Sequence, residues 1–527
     1  MGGPLQGKYY KLEMETINKI CGTMNLKIFS ILSILFFTNC SNTQSDNKPN
    51  IVIIYADDMG YGDLNCQNSS SKIPTPNLDK LASEGMRFTD AHSSSGICSP
   101  SRFALLTGMY HWRRQHGIVQ SFGKPMFKDS DISIAKVLKT AGYKTAAIGK
   151  WHLGWDWNFK NEPSGEVFQW NKTRKFYAPQ DVDWSEPISG GPIDRGFDYY
   201  FGDGTINFPP YAWVENQSFV ELPTGIMDVH NVGYGIYEGE WEFRPGPKVE
   251  EWNPYEVLPT LTKKTTGWIK EQKKDKPFFL YLALPSPHAP IIPNEEFIGK
   301  SEAGPYGDFM FQTDWVIGQV LQALKENGLE DNTIVIFSAD NGPEKYAFNR
   351  AEKYDHYSMG DFRGLKRDVW EGGHHVPFIV KWPSKVKAGT VSDKLISQID
   401  VMATLSEITQ TTMKQGAAMD SKSFLSVLEG NNAKNSRTVL VHNTYKNIWG
   451  LRNGKWLYVN NKNGQHTKMP DSFKALRGYE DFETDKLLFN LELDPEQRVN
   501  LYPDYAAKAS EMDLILQIEL DKGYLSK

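Results

Sequence analysis

The sequence predicts an α/β protein: a large domain built on a mixed, mostly parallel sheet, followed by a small C-terminal α+β domain with an antiparallel sheet. Residues 50–55, 277–284 and 332–339 are nearly continuous apolar runs, as strands buried on both faces of a parallel sheet require. Helical stretches at 76–82 and 132–141 separate the first of these from another strand at 144–149. Beyond residue 436 the pattern changes to short runs at 438–445, 448–452 and 455–460, with Asn453-Gly454 as a hairpin turn. The expected divisions are a leader and polar tether over 1–47, the large domain over 48–425 and the C-terminal domain over 426–527.

A chain of 527 residues is long enough for a large core. Its 40% hydrophobic and 23% charged residues are those of a globular protein, and 15 Trp make it rich in aromatics. A formal net charge of −6 argues against a nucleic-acid binder, so any positive site must be local. The four cysteines, Cys21, Cys40, Cys66 and Cys98, show neither metal-ligand spacing nor a disulfide framework.

Taken in order, the strand ends carry the polar chemistry. The run at 50–55 delivers Asp57 and Asp58, where open α/β sheets place their ligands. Paired carboxylates there suit Ca²⁺ or Mg²⁺. The strand at 144–149 ends at Lys150-Trp151-His152, whose alternation puts a cation and an imidazole on one side. Residues 155–194 read as a long aromatic-rich loop region, either packed on itself or walling a saccharide cleft. The run at 277–284 ends in Pro285-Ser286-Pro287-His288-Ala289-Pro290, whose prolines hold His288 out as a rigid proton donor or acceptor. The run at 332–339 ends at Asp340-Asn341-Gly342, and these groups with Asp57 and Asp58 could converge on a hard cation. A strand near 376–383, a helix at 399–408 and a terminal helix at 505–522 complete the expected elements.

One stretch organises the rest: Ser95-Gly96-Ile97-Cys98-Ser99-Pro100-Ser101-Arg102, followed by the helical run Phe103-Ala104-Leu105-Leu106. Pro100 suits a first helical turn and Ser99 the cap before it, which places Cys98 at a helix mouth. The free N–H groups there and Arg102 one turn in favour an anion.

Cys98-Ser99-Pro100-Ser101-Arg102 followed by a helix resembles the signature of the type I, formylglycine-dependent sulfatases, and further matches run from about Asn50 to Asn500. The resemblance implies an alkaline-phosphatase-like large domain. It also implies oxidation of Cys98 to formylglycine (3-oxoalanine) by a formylglycine-generating or sulfatase-maturating enzyme, and one Ca²⁺ per site. The site it implies comprises Asp57, Asp58, Cys98, Arg102, Lys150, His152, His288, Asp340, Asn341 and Lys366, the last in Gly364-Leu365-Lys366. The cation falls to Asp57, Asp58, Asp340, Asn341 and the modified Cys98. The roles implied are attack on sulfur by the hydrated aldehyde with help from Asp340, charge neutralisation by Lys150, Lys366 and Arg102, protonation of the leaving alcohol by His288, and proton removal by His152 to expel sulfate. Where many relatives have an arginine before the Val-Pro pair, this chain has His374-His375, a departure expected to touch loop packing.

Met24-Asn25-Leu26-Lys27 and the apolar run at 28–37 have the form of a signal peptide, and Cys40 behind them resembles the lipidated residue of a bacterial lipoprotein. Export to the periplasm or cell surface is therefore expected, with membrane contact only through such an anchor. The aromatic insert and the loop at Tyr354-Asp355-His356-Tyr357 suggest glycan contacts through Trp155 and His356. The expected substrate is a sulfated polysaccharide, algal ulvan before carrageenan, fucoidan or animal glycosaminoglycans. Two other readings stand beside it: a phosphonate or phosphate ester hydrolase of the same superfamily, and a non-catalytic glycan-capturing surface lipoprotein.

Overall fold

The protein's structure, a computed structural model, describes residues 48–431 and 437–522. The signal-like segment and Cys40 lie outside the described residues. Strand β1 (Asn50–Ala56) is buried along its whole length and pairs in parallel with two strands that lie far off in sequence, β12 (Phe278–Ala283) and β13 (Thr333–Ala339). Its continuous apolar run has this cause: both faces and both edges are covered.

In chain order, α1 (Pro76–Ser83), β2 (Met86–Phe88) and β3 (Ala91–His92) lead to α2 (Cys98–Thr107), then α3 (Ile134–Thr140) and β4 (Lys144–Gly149). The aromatic-rich insert contains a hairpin, β5 (Gly165–Gln169) with β6 (Lys172–Phe176). Next come β7 (Tyr199–Gly202), β8 (Val214–Glu215), β9 (Ser218–Phe219) and the small pair β10 (Gly225–Ile226) and β11 (Pro247–Lys248). Helices α4 (Val257–Lys270) and α5 (Gly304–Glu326) flank β12, and α6 (Tyr346–Tyr354), α7 (Glu371–His374) and β14 (Phe378–Lys381) follow β13. Strands β15 (Thr390–Ser392) and β16 (Ile396–Ser397) and helices α8 (Asp400–Ile408) and α9 (Leu425–Leu428) come before the C-terminal part. The ten-stranded sheet runs β15-β2-β14-β13-β1-β12-β4-β7-β8-β9. It is parallel from β13 to β7 and antiparallel around β14 and β8, which bears out the mixed, mostly parallel architecture.

The C-terminal part is a four-stranded antiparallel sheet of β17 (Val439–Asn443), β18 (Trp449–Asn453), β19 (Trp456–Val459) and β20 (Leu487–Asn490). Helix α10 (Asp471–Arg477) sits between β19 and β20, and α11 (Ala506–Asp521) packs on the sheet. Gly454 takes φ +55° in the expected β18–β19 hairpin, a conformation that favours glycine.

Helix α2 belongs to both cores. Phe103, Leu105 and Leu106 pack into the main cluster, whereas Ala104 shares a second cluster with Leu440, Val441, Leu451 and Leu516 of the C-terminal part. All ten of its residues are buried, so the residue at its N-terminus is positioned by packing on every side.

Candidate active site

The strand ends bring their polar residues together, and local backbone geometry rather than strand alternation sets how. Helix α2 starts at Cys98, with extended Ile97 as the cap residue, two positions earlier than a Ser99 cap would give. Pro100 then stands at the third helical position, which still needs no donor. Ser99 instead accepts a hydrogen bond from the Val119 amide at 3.0 Å. The loop before the helix is docked: the Arg367 amide donates to the Gly96 carbonyl at 2.7 Å, and a Cβ on Gly96 would lie 3.0 Å from the Arg367 nitrogen. At the end of β1, Asp58 adopts φ +59°. That left-handed turn breaks strand alternation, so two successive carboxylates face one cavity.

Ligand atoms of Asp57, Asp58, Cys98 and His288 all lie within 4.8 Å of one another, and all four residues are buried. Cations answer the carboxylates. Lys150 pairs with Asp57, and Lys366 reaches Asp58 at 2.7 Å. Arg102 donates to Asp340 Oδ2 from Nε at 3.1 Å and Nη2 at 2.9 Å, and stands 3.5 Å from Asp57 Oδ1. Asp340 Oδ1 accepts the Asp58 amide at 3.1 Å, and Asn341 Nδ2 donates to Asp58 Oδ1 at 2.8 Å.

The electrostatics follow from this crowding. Burial alone would raise Asp57, but Lys150, His288 and Arg102 outweigh it and hold the carboxyl well below the usual range. Asp340 goes the other way: burial and the Asp57 charge push it up to about 8. Burial also pushes the Cys98 thiol up to about 12, against the pull of Lys150 and Lys366. For Lys366 burial is outweighed by Asp58, which keeps the ammonium charged.

The two histidines are held by carbonyls. His152, in a left-handed conformation (φ +50°), donates Nε2–H to the Val119 carbonyl at 3.0 Å. Its Nδ1 is buried without a partner, and burial with Lys150 and Arg102 nearby keeps the ring neutral. His288 gives Nδ1–H to the Ala289 carbonyl and turns Nε2 toward Asp58 Oδ2 at 3.5 Å.

A cation fits this donor set. Asp57 Oδ1 and Asn341 Oδ1 are buried oxygens without hydrogen-bond partners, beside carboxylates whose mutual repulsion shows in the raised Asp340. Hard oxygen donors of this kind suit a divalent cation.

Two expected glycan contacts are buried instead of facing a ligand. Trp155 is 4% exposed and packs edge-on against Trp157 in the main core, so neither ring face is open to a sugar. His356 is wholly buried: Nε2 donates to Asp63 Oδ1 at 2.8 Å and Nδ1 accepts the Lys72 amide at 3.3 Å. Of the aromatic insert, Trp155 and Trp184 are core residues, while Phe168 and Trp170 are exposed. Sequence reasoning missed Glu344, which is buried beside the site, paired with Arg367 at 2.7 Å and 3.6 Å from Lys366. Its place three residues after Asn341, behind a Gly-Pro turn, was the available signal.

Comparison with known proteins agrees with this geometry. A family model described as Sulfatase matches residues 49–411, and one described as N-sulphoglucosamine sulphohydrolase, C-terminal, matches 361–522. The N-acetylgalactosamine-6-O-sulfatase of Bacteroides thetaiotaomicron is 32% identical over 515 residues, covering 89% of this chain and 93% of its own. The human N-acetylgalactosamine-6-sulfatase is 32% identical over 395 residues, covering 72% and 66%. A solved sulfatase structure concerned with metabolism of multiple glycosaminoglycans by Bacteroides thetaiotaomicron superposes with a TM-score of 0.73 at 31% identity, covering 89% of this chain and 99% of that one. The i-CgsB structure in complex with neocarrahexaose shares the fold, with a TM-score of 0.65 at 22% identity and coverage of 89% and 92%. The buried Cys98 cluster and a family match across most of the chain place this protein in the sulfatase family, as a sulfuric ester hydrolase.

Proposed function

We propose that this protein is an exported sulfatase that hydrolyses sulfate esters on a sulfated glycan, using a formylglycine made from Cys98 and one Ca²⁺. The observation that carries the reading is Cys98 at the mouth of α2, buried among Asp57, Asp58 and His288 with Lys150 and Lys366 on either side. A thiol pushed up to about 12 is a poor nucleophile at neutral pH, which supports conversion of the side chain by a maturating enzyme. As formylglycine, residue 98 would supply geminal hydroxyls, the chemistry needed both for attack on sulfur and for release of sulfate. Asp57, Asp58, Asp340 and Asn341 would hold the cation, which supplies Lewis-acid polarisation.

The remaining residues act around that centre. Lys150, Lys366 and Arg102 counter the charge of the transferring sulfuryl group in a water-poor site. His288 Nε2 is the atom placed to deliver a proton to the leaving alcohol, its ring fixed by the Nδ1 bond to Ala289. His152 Nδ1, an unpartnered lone pair on a neutral ring, accepts the proton released from the second hydroxyl.

The substrate class we favour is a glycosaminoglycan-like polysaccharide or its oligosaccharides, with 6-O-sulfated hexosamine first. The names of the relatives support it. Ulvan, the expectation from sequence, stays as an arm of the test. Export rests on Lys27, the apolar run at 28–37 and Cys40. Cys40→Ser should move the protein from membrane to soluble fractions of its native host. Sulfate release should be measured over a panel of 6-sulfated glycosaminoglycan, ulvan, carrageenan and fucoidan oligosaccharides, with mass spectrometry of the 95–102 peptide. Full conversion of Cys98 with no release from any glycan would overturn the glycan reading, whereas release from an aryl sulfate by protein that carries unconverted cysteine would overturn the mechanism.

A further inference from the structure

Outside the sulfate site the structure gathers three buried histidines from distant segments: His92 on β3, His374 at the end of α7 and His442 on β17. One ring nitrogen from each lies within 4.8 Å of the others. The tautomers are fixed from outside the cluster. His92 Nε2 is 2.6 Å from Asp90 Oδ1, and His374 Nε2 is 3.1 Å from the Val369 carbonyl. A carboxylate and a carbonyl only accept, so both Nε2 atoms carry the proton and both Nδ1 atoms present lone pairs. Those two lone pairs face each other at 3.1 Å.

Two bare nitrogens at that distance repel unless a positive centre lies between them. His442 adds a third donor: it stacks on His374 at 3.4 Å and 9°, and neither of its nitrogens has a hydrogen-bond partner. Nitrogens bound at about 2.0–2.1 Å to one tetrahedral ion stand roughly 3.4 Å apart, close to the 3.1 Å of the facing pair; His442, whose ring centroid lies 3.4 Å from that of His374 in a parallel stack, reaches the same ion by swinging off that stack.

We propose that His92, His374 and His442 form a second metal site, selective for Zn²⁺ or a similar borderline transition ion, distinct from the oxygen-rich sulfate site. Three neutral imidazoles suit Zn²⁺, and the hard oxygen donors of the other site suit an alkaline-earth ion. The Asp90 and Val369 contacts are the outer-shell partners that orient metal-bound histidines. The surroundings are net acidic: Asp90 and Glu371 share one guanidinium, Arg452, at 3.1 and 3.0 Å. His375 does not join, since its Nδ1 pairs with Glu371 at 3.2 Å and its Nε2 with the Thr89 carbonyl at 2.9 Å. The His374-His375 pair thus divides its work, one ring turned to the metal and one to the ion-pair network. The ion would tie β3, six residues ahead of Cys98, to the first strand of the C-terminal sheet.

The test is metal content of the full-length enzyme by mass spectrometry after equilibration with Zn²⁺ and gel filtration, with Co²⁺ substitution read by visible absorption. Wild type should hold zinc at the histidine site with a nitrogen-ligated tetrahedral Co²⁺ spectrum. Asp57→Ala, which breaks the sulfate site, should keep that one equivalent. His442→Phe keeps the ring stack but offers no nitrogen; in an Asp57→Ala background it should lower bound zinc at least tenfold and abolish the cobalt bands. Wild type without zinc, or equal zinc in Asp57→Ala with and without His442→Phe, would overturn the proposal. Should the Phe variant not fold, His92→Gln carries the same expectation, and the cobalt spectrum of Asp57→Ala decides independently.

Discussion

Arg102 donates two hydrogen bonds to the same oxygen of Asp340, at 3.1 and 2.9 Å, with both side chains wholly buried. The guanidinium fork also stands 3.5 Å from Asp57, so one cation braces carboxylates from two different strand ends. A lysine cannot supply both contacts. Removing one partner of a buried pair typically costs about 3–5 kcal/mol, because the other charge is left uncompensated. Arg102→Ala should therefore lower the urea midpoint markedly as well as abolish turnover. Full stability with lost activity would confine Arg102 to the chemistry.

Metal removal should expose the strain at Asp340. With its carboxyl raised to about 8 in the folded, metal-free protein and near 3.8 when unfolded, the native state binds the extra proton between those values. Stability of metal-free protein should then fall as pH rises from about 4 to 8. Asp57, held low, acts in a separate window, losing its contribution as pH falls below its unfolded value. Cation binding at pH 7 should release a proton from Asp340 and restore stability. Calorimetry in buffers of different ionisation enthalpy reads that proton directly, and a buffer-independent heat would contradict it.

Unconverted Cys98 should be inert. A thiol at about 12 is almost fully protonated at pH 8, so alkylation of the folded, unconverted protein should be at least a hundredfold slower than of a free thiol with pKa about 8.5 and should rise with pH. Rapid labelling at pH 7 would mean that the site is more open than the 3% exposure of Cys98 implies.

The sulfate site was legible because its residues sit at strand ends and in one short motif: Asp57, Asp58, Lys150 and Asp340 follow directly on buried strands, and His288 stands in the proline turn after another. Helices α4 and α5 were not read from the sequence. Half of α5 is buried, including Asp308, Gln312, Thr313 and Asp314, and buried polar groups blur the apolar periodicity. Trp155 and His356 misled for a related reason, since a polar or aromatic residue near a site reads the same whether it faces a ligand or a buried partner. The buried partner of His356 is Asp63, which also accepts from Tyr306 at 2.6 Å. The histidine triad was invisible because its members come from three separate segments, His92 lying 282 residues before His374 and His442 another 68 beyond it, although His374-His375 marked the spot as a departure from the family pattern.

Replacing the two misread residues should affect the fold, not glycan selection. Trp155→Ala opens a cavity in the core and should cost about 3–5 kcal/mol. His356→Ala strips a partner from the buried Asp63 carboxylate. Both variants should lose activity on oligosaccharide and small aryl sulfate in equal proportion, with lower thermal midpoints. A loss confined to oligosaccharide would restore them to the substrate cleft.

On the glycan reading proposed above, Arg244 and Glu242 are better candidates for the rim than Trp155 and His356. Arg244 lies over the Phe208 ring at 3.5 Å, and Phe208 meets His152 edge-on at 5.3 Å, so one aromatic ring links the guanidinium to His152. Glu242, half-buried, accepts from Tyr346 at 2.7 Å, and burial with Glu344 nearby raises its carboxyl despite His288 and Lys366. A carboxyl group and a guanidinium two residues apart, one near His288 and Lys366 and the other linked to His152 through Phe208, suit hydroxyl and acidic groups of a flanking sugar. Arg244→Ala and Glu242→Gln should each raise KM for a sulfated oligosaccharide about tenfold, roughly 1.4 kcal/mol, while turnover of an aryl sulfate stays within about twofold. Contacts to remote sugar units are absent from the small substrate, so only the large one can lose them. Equal losses on both substrates would show that the pair supports His152 and His288 instead of the glycan.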